Sequence, residues 1–202
     1  MKKHADLYNE IIETVKQVKS PKKTKVSREK SKKCKLLYPP KVFNRFFKEA
    51  FTLNGWKELK DNYTIEIPNF PIHIKGGFKQ CDFFKEPIIV EVQFGKYAFM
   101  LYDLAKFQYF FNIRKIKLGV EILACHSLSR QMSSGVSYGE HLVYDLERLG
   151  KHFPAVPVMI MLIDLPLNDA NHDLHDRKIM REAFENRQGI INQNIIKQEK
   201  LF

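Results

Sequence analysis

Asp82, Glu91 and Gln93 lie close together in a stretch that otherwise looks like buried chain, Gln80 to Lys96. Ile88 to Phe94 is rich in β-branched and apolar residues and follows the turn-forming Lys85-Glu86-Pro87, which predicts a strand. Alternation places Ile88, Val90, Val92 and Phe94 on one face and Ile89, Glu91 and Gln93 on the other. An upstream strand over Gly77 to Phe84, folding back through that turn, would bring Asp82 to the same neighbourhood. Two carboxylates and an amide then converge. Crowded carboxylates repel one another and resist burial, so they call for a cation or for raised pKa values. Hard oxygen ligands suit Mg²⁺, which takes one or two carboxylates and leaves positions for water and phosphate. Such an arrangement can cleave a phosphodiester.

The elements that must position these groups follow an α/β order. Leu7, Ile11, Ile12, Val15 and Val18 recur at helical spacing within Asp6 to Val18. After Pro39-Pro40, Val42, Phe43, Phe46, Phe47, Ala50 and Phe51 mark a helix buried on one face and closing at Asn54-Gly55. Tyr63 to Ile74 alternates but contains Pro68 and Pro71, as edge strands do. Asn69 between them reads as a turn residue, and Gly76-Gly77 as the turn into the strand bearing Asp82. A helix over Phe99 to Phe111 is read from Phe99, Leu104, Phe107 and Phe111, with Asp103 and Lys106 as interruptions. A strand over Lys117 to Ala124 follows, in which Glu121 reads as an edge charge, with a supporting partner of the site carboxylates as the alternative. A helix over Glu140 to Phe153 and a buried strand over Val156 to Ile163 complete the order. In the tail, His172 and His175 lack a third ligand at metal-site spacing, and their Asn/Asp neighbours suit the cap of a last helix from Lys178.

Composition narrows the partners. Lys+Arg number 34 against Asp+Glu 23, for a formal net charge of +11 over 202 residues, which favours a polyanion such as nucleic acid or an anionic surface. Much of the excess falls in Lys16 to Lys35, where Glu29 is the one acid. That run reads as a mobile or partly helical arm, either a solvated linker or a source of sequence-independent phosphate contact. The expected organisation is a helix plus basic arm over 1–35 and a main domain over 36–202. The longest apolar runs fall far short of the roughly 20 residues that cross a bilayer. The basic N-terminus lacks an apolar signal core, and three cysteines have neither the number nor the spacing of a disulfide framework. A reducing cytoplasm is the expected location. Cys125 to Gly139 is polar and small, and Arg130, Gln131, Ser133, Ser134 and Ser137 are of the kind that hydrogen-bond base edges, Arg to guanine and Gln to adenine, although plain surface loops share this composition. Lys96 is placed either to reach DNA or to be solvated surface.

Asp82, followed nine positions on by Glu91 and two further by Gln93, resembles the PD-(D/E)xK nuclease motif in a variant with Gln in the last place, that of the BglII/BstYI-like type II restriction endonucleases. Val90 to Ala98, Gln131 to Val136 and His152-Phe153-Pro154 before an apolar strand occur in the same order in that branch, so the likeness spans Tyr38 to Leu165. It implies a PD-(D/E)xK restriction-endonuclease-like fold, α/β with a central mixed β-sheet flanked by helices. It implies Asp82, Glu91 and Gln93 as catalytic residues, and Mg²⁺ held by Asp82, Glu91 and the carbonyl of Val92. Glu49, read from the residues as an exposed helical acid, becomes a possible addition to that set. Most nucleases of this fold have Lys where this chain has Gln93; an amide can orient the attacking water but carries no charge. The expected activity is cleavage of both strands of double-stranded DNA at a short palindrome containing GATC, leaving 5′-phosphate and 3′-hydroxyl ends. Cutting a palindrome twice requires a twofold axis, hence a homodimer, and a companion methyltransferase is expected. A structure-specific repair nuclease and a non-catalytic DNA-binding module are the alternatives.

Overall fold

The computed structural model describes residues 5–18, 21–70, 72–150 and 153–165. The chain divides into a unit over Met1–Asp164 and a second over Leu165–Phe202; every element below belongs to the first. The readings of His172, His175 and a helix from Lys178 lie outside the described residues.

Among the described residues, five strands form one mixed sheet in chain order: β3 (Lys57–Glu66), β4 (His73–Lys85), β5 (Ile88–Gln93), β6 (Leu118–Ala124) and β7 (Val158–Ile163). β3, β4 and β5 pair antiparallel, and β5, β6 and β7 parallel. The parallel half needs crossovers, which α3 (Tyr97–Asn112) and then α4 (His126–Arg130) with α5 (Gly139–Leu149) provide. The expected α/β architecture with a central mixed sheet is thus present. Three sequence expectations change. Gly76-Gly77 lies inside β4, and the chain turns instead at 67–70, where Phe70 N–H donates to Ile67 O at 3.0 Å and Asn69, with φ 65°, is the turn residue expected. β7 is half-buried rather than buried, because it forms one edge of the described sheet. The buried apolar row of α3 is Met100, Leu104, Phe107 and Phe110, and Phe99 is exposed.

α2 (Pro40–Leu53) packs on the face opposite α3. It opens with Pro at its first position, where the missing N–H costs no hydrogen bond. Phe43, Phe47 and Phe51 recur every fourth residue and are fully buried. Phe43 and Phe47 meet Phe94, and Phe51 stacks on Phe83 with ring centroids 4.7 Å apart. α1 (Ala5–Gln17) lies against α2, and its Glu10 accepts hydrogen bonds from Trp56 Nε1 at 2.5 Å and Lys85 Nζ at 2.9 Å. On the other face α3 and α5 approach the sheet closely. A Cβ on Gly119 would sit 2.4 Å from the Phe107 ring, and one on Gly139 would sit 2.2 Å from Leu162. Only glycine admits these distances.

The basic stretch is not a loose arm. Lys25–Val26 (β1) pairs antiparallel with Leu36–Leu37 (β2), with a short 3₁₀ turn, Lys30–Lys32, between them. The ribbon is fastened to the 131–134 loop. Lys32 Nζ donates to Met132 O at 2.7 Å, Tyr38 N–H donates to Gln131 O at 2.9 Å, and both Glu29 oxygens accept the Ser134 N–H at 3.1 Å. Lys25 also bonds Ser133. The lone acid of the run thus has a positioning job that a count of charge does not reveal.

Candidate functional site

β5 and a distortion of β4 build the site. Along β5, Ile89 packs in the core that includes Met100, Leu104 and Phe107 of α3, while Phe94 packs on Phe43 and Phe47 of α2. Alternation therefore sends Glu91 and Gln93 toward α3 and Val92 toward α2. Asp82 arrives through a bulge. The β3–β4 register runs Lys57↔Phe84 and then Leu59↔Cys81, so Asp82 and Phe83 together stand opposite Glu58. A bulge lets neighbouring side chains share one side of a strand. Phe83 stacks on Phe51, and Asp82 lines the adjoining cleft, which has a volume of ≈ 460 Å³. Asn44, Lys48 and Thr52 of α2, with Trp56, Lys57, Glu58 and Val92, complete its wall. Asp82 Oδ2 lies 3.5 Å from the Val92 N–H, the outer limit of a hydrogen bond.

Glu91 is buried, and it belongs to a charged cluster beneath α3. Lys106 Nζ sits 2.5 Å from Glu91 Oε1 and 2.8 Å from Asp103 Oδ1, and the Gln93 amide donates to Asp103 Oδ2 at 3.3 Å. Burial first, then the negative charges of Asp82 and Asp103, push the Glu91 pKa up to about 8 against the pull of Lys106. Burial likewise raises the Asp103 pKa. For Lys106, burial opposes the charged form, but Glu91 and Asp103 outweigh it and hold its pKa above the ordinary range.

Glu121 stands beside Glu91 in the parallel register and is fully buried. This corrects its reading as an edge charge: β6 is flanked on both sides by strands, and α3 covers the face to which Glu121 points. Neither carboxylate oxygen has a hydrogen-bond partner among the described residues. Burial, followed by Asp103 and Glu91, pushes its pKa up to about 9. A carboxyl whose folded pKa is raised stabilises the fold fully below its unfolded value, near 4.5, and that contribution is lost as pH rises through about 9. Glu121→Gln is neutral at every pH. Its stability relative to the parent is therefore expected to improve between pH 5 and pH 9, by at least about 1 kcal/mol, as measured by denaturant unfolding at the two pH values. An equal difference at both would show that Glu121 is ionised in the fold throughout.

The donor set suits Mg²⁺. Asp82, Glu91 and the Val92 backbone offer oxygens alone, and a divalent cation would neutralise the repulsion that raises the Glu91 pKa. Among the described residues no group of three or more His, Cys, Asp or Glu is gathered for a metal, so further ligands would come from water and phosphate, as Mg²⁺ prefers. Glu49 is not brought to this cleft. It is exposed on α2, 3.9 Å from Arg45, and faces a neighbouring groove with Arg45, Lys48, Thr52 and Leu53. Two residues past Phe47, which packs on Phe94 in the core, the helix has turned Glu49 to solvent.

The loop residues gather at one end of the sheet. Ser137 N–H donates to Gly95 O at 2.8 Å, which returns the loop beside exposed Lys96. Arg130 is exposed at the end of α4, and Ser134 is exposed where the ribbon grips the loop. Ser133 and Ser137 are half-buried, as is Gln131, whose amide donates to Ser127 O at 3.4 Å. Ser127 and Ser129, which share the polar composition, are buried and bond to Asp164 and to His126 O. Sequence reasoning missed Asp103 and Lys106, whose signal was two charges on the helical row of Met100, Leu104 and Phe107. It also missed Asn44 and Lys48, for which an exposed helix face gave no signal.

The sequence profile of the restriction endonuclease BglII/BglIII family matches residues 1–163, and the chain belongs to that family. It is thereby a type II site-specific deoxyribonuclease. Its structure is similar to the crystal structure of restriction endonuclease BglII complexed with a DNA 16-mer, at a TM-score of 0.61 and 24% identity, covering 81% of this chain and 72% of that one. It is similar also to free BglII, at 0.54 and 21%, covering 81% and 74%. These likenesses establish the fold. No curated protein matches the sequence significantly. No helix among the described residues is long and apolar enough to cross a membrane.

Proposed function

We propose that the chain is a Mg²⁺-dependent restriction endonuclease that acts as a homodimer on double-stranded DNA, cutting both strands at a short GATC-containing palindrome and leaving 5′-phosphate and 3′-hydroxyl ends. The observation that carries this reading is the pairing of Asp82, re-aimed by the bulge onto the Val92 N–H, with Glu91 on the same strand as Val92. Asp82, Glu91 and the Val92 carbonyl would hold the ion. When bound, Mg²⁺ supplies Lewis-acid charge to the scissile phosphate and lowers the pKa of a coordinated water. Lys48 and Lys57 in the cleft wall neutralise phosphate charge at its approach. Lys96, Arg130, Gln131, Ser133, Ser134 and Ser137 form the face that reads the duplex, and the basic ribbon beside them adds sequence-independent attraction. That a related enzyme was crystallised with a DNA 16-mer supports the same partner here. A palindrome and one active site per chain require a second copy related by a twofold axis. A companion methyltransferase protecting the same site follows from the activity.

The test is incubation of the pure protein with unmethylated plasmid or bacteriophage DNA, with Mg²⁺ or with EDTA, followed by sequencing of the fragment ends. Discrete ends at one GATC-containing palindrome, formed only with the metal, are expected. Diffuse ends, ends at branched structures, or DNA left intact across a range of salt would overturn the proposal.

A further inference from the structure

The cluster beneath α3 gathers more buried carboxyls than the strand beneath it can partner. Glu91, Asp103 and Glu121 are buried carboxyls, and β5 contributes to them only the neutral amide of Gln93. Of the 34 Lys and Arg in the chain, Lys106 is the one that is buried among the described residues, and it is buried at this spot. Its side chain descends from α3 one helical turn beyond Asp103, so the two form an i,i+3 pair whose ammonium continues on to Glu91. Gln93 holds the opposite oxygen of Asp103, which fixes the carboxylate that in turn fixes the ammonium. Gln93, Asp103, Lys106 and Glu91 thus make a continuous chain of contacts from one site residue to the other, and it passes through the helix rather than along the strand.

From this geometry we infer that Lys106 is the positioning cation of the nuclease site: α3 delivers to Glu91 the fixed positive charge that Gln93 cannot supply from β5. The inference rests on the reading of Glu91 as a site carboxylate. Lys106 aims one oxygen of Glu91 by holding it at 2.5 Å, and it gives the acid cluster a counter-charge that remains when no ion is present. Gln93 acts on Asp103, and its distance to that carboxylate shows that a longer cationic side chain at position 93 would reach the same cluster.

The geometry therefore prescribes a relocation experiment. Lys106→Met is compared with Gln93→Lys/Lys106→Met, which restores one cation from the strand side. Cleavage of a GATC-containing duplex in Mg²⁺, Ca²⁺ affinity of the protein–duplex complex by calorimetry, and thermal unfolding are measured for each, with Asp82→Ala alongside. Lys106→Met is expected to lose at least about a hundredfold in cleavage, as when a preorganised electrostatic contact is removed, while Ca²⁺ binds no more weakly because a repelling charge has gone. The double variant is expected to recover at least about tenfold of the loss, a partial restoration of that contact. If Lys106→Met does not fold, the double variant decides by its cleavage. Cleavage by Lys106→Met within a few-fold of the parent, a folded double variant no more active than Lys106→Met, or a failure of both to fold would overturn the inference and leave Lys106 a structural ion-pair residue. Mg²⁺-dependent cutting by Asp82→Ala is a separate result: it would instead remove the site reading on which the inference rests.

Discussion

Asp82→Ala is expected to lose cleavage by at least about a hundredfold, the effect of removing one preorganised electrostatic contact, while its binding to the duplex in Ca²⁺ is retained. The two halves of this expectation have different physical origins. Asp82 is exposed, and its long contact to the Val92 N–H is the one hydrogen bond its carboxylate makes among the described residues. Removing it should change stability by no more than about 0.5 kcal/mol, as for other surface positions that hold no network together. Removing an acid from a cleft that Lys48 and Lys57 also line makes that cleft more positive, which favours a phosphate rather than repelling it. The chemistry, by contrast, loses half of the carboxylate pair that suits Mg²⁺. Asp82→Asn, which keeps the size and removes the charge, should lose as much, whereas a purely steric role would spare it. Single-turnover cleavage in Mg²⁺ and gel-shift affinity in Ca²⁺ separate these quantities. Undiminished cutting by either variant would place the metal elsewhere.

The strand that carries Glu91 and Gln93 was legible because period-2 alternation in a short apolar run leaves few choices, and the two polar residues fell on one face. The convergence of Asp82 was legible only in outline. The pattern of Gly77 to Phe84 gives no sign of the bulge that puts Asp82 and Phe83 opposite Glu58, since a bulge is set by how two strands must splay and not by local composition. Asp103 and Lys106 read as interruptions of a helix because a charge is ordinarily exposed, yet they lie on its buried row and satisfy each other there. Glu121 misled for a related reason. A Glu in an apolar strand is cheapest at an edge, and its burial in the second strand from the edge makes sense only beside Glu91, a neighbour that register alone supplies. The basic run was misread because charge density speaks for solvent, whereas its order comes from Glu29, Lys25 and Lys32 gripping a loop a hundred positions away.

Phe51→Ala is expected to destabilise the fold by about 3–5 kcal/mol, the usual cost of truncating a buried aromatic, and to reduce cleavage even where the protein remains folded. Phe51 is fully buried at the C-terminal end of α2. It stacks on Phe83 at 4.7 Å, meets Trp56 edge-on at 5.4 Å and adjoins Phe47 at 6.2 Å. Alanine leaves a cavity that three rigid rings cannot close by changing rotamer, which places the loss toward the upper part of that range. The functional effect travels one residue. Phe83 is the bulge partner of Asp82, and its stacking on Phe51 is what holds that irregular pair against α2. Without the stack, β4 can relax toward regular pairing, which would turn Asp82 away from the Val92 N–H because a one-residue slip sends a side chain to the opposite face. The check is to measure cleavage well below the melting temperature, at a temperature where circular dichroism shows the variant fully folded, beside Phe43→Ala, which removes a comparable ring from the same helix but contacts Phe94 and Tyr38 rather than Phe83. A larger loss of cleavage in Phe51→Ala than in Phe43→Ala, at matched fractions folded, is expected. Equal losses would show that α2 supports the site through bulk stability alone, and that the bulge holds Asp82 without help from the ring beneath it.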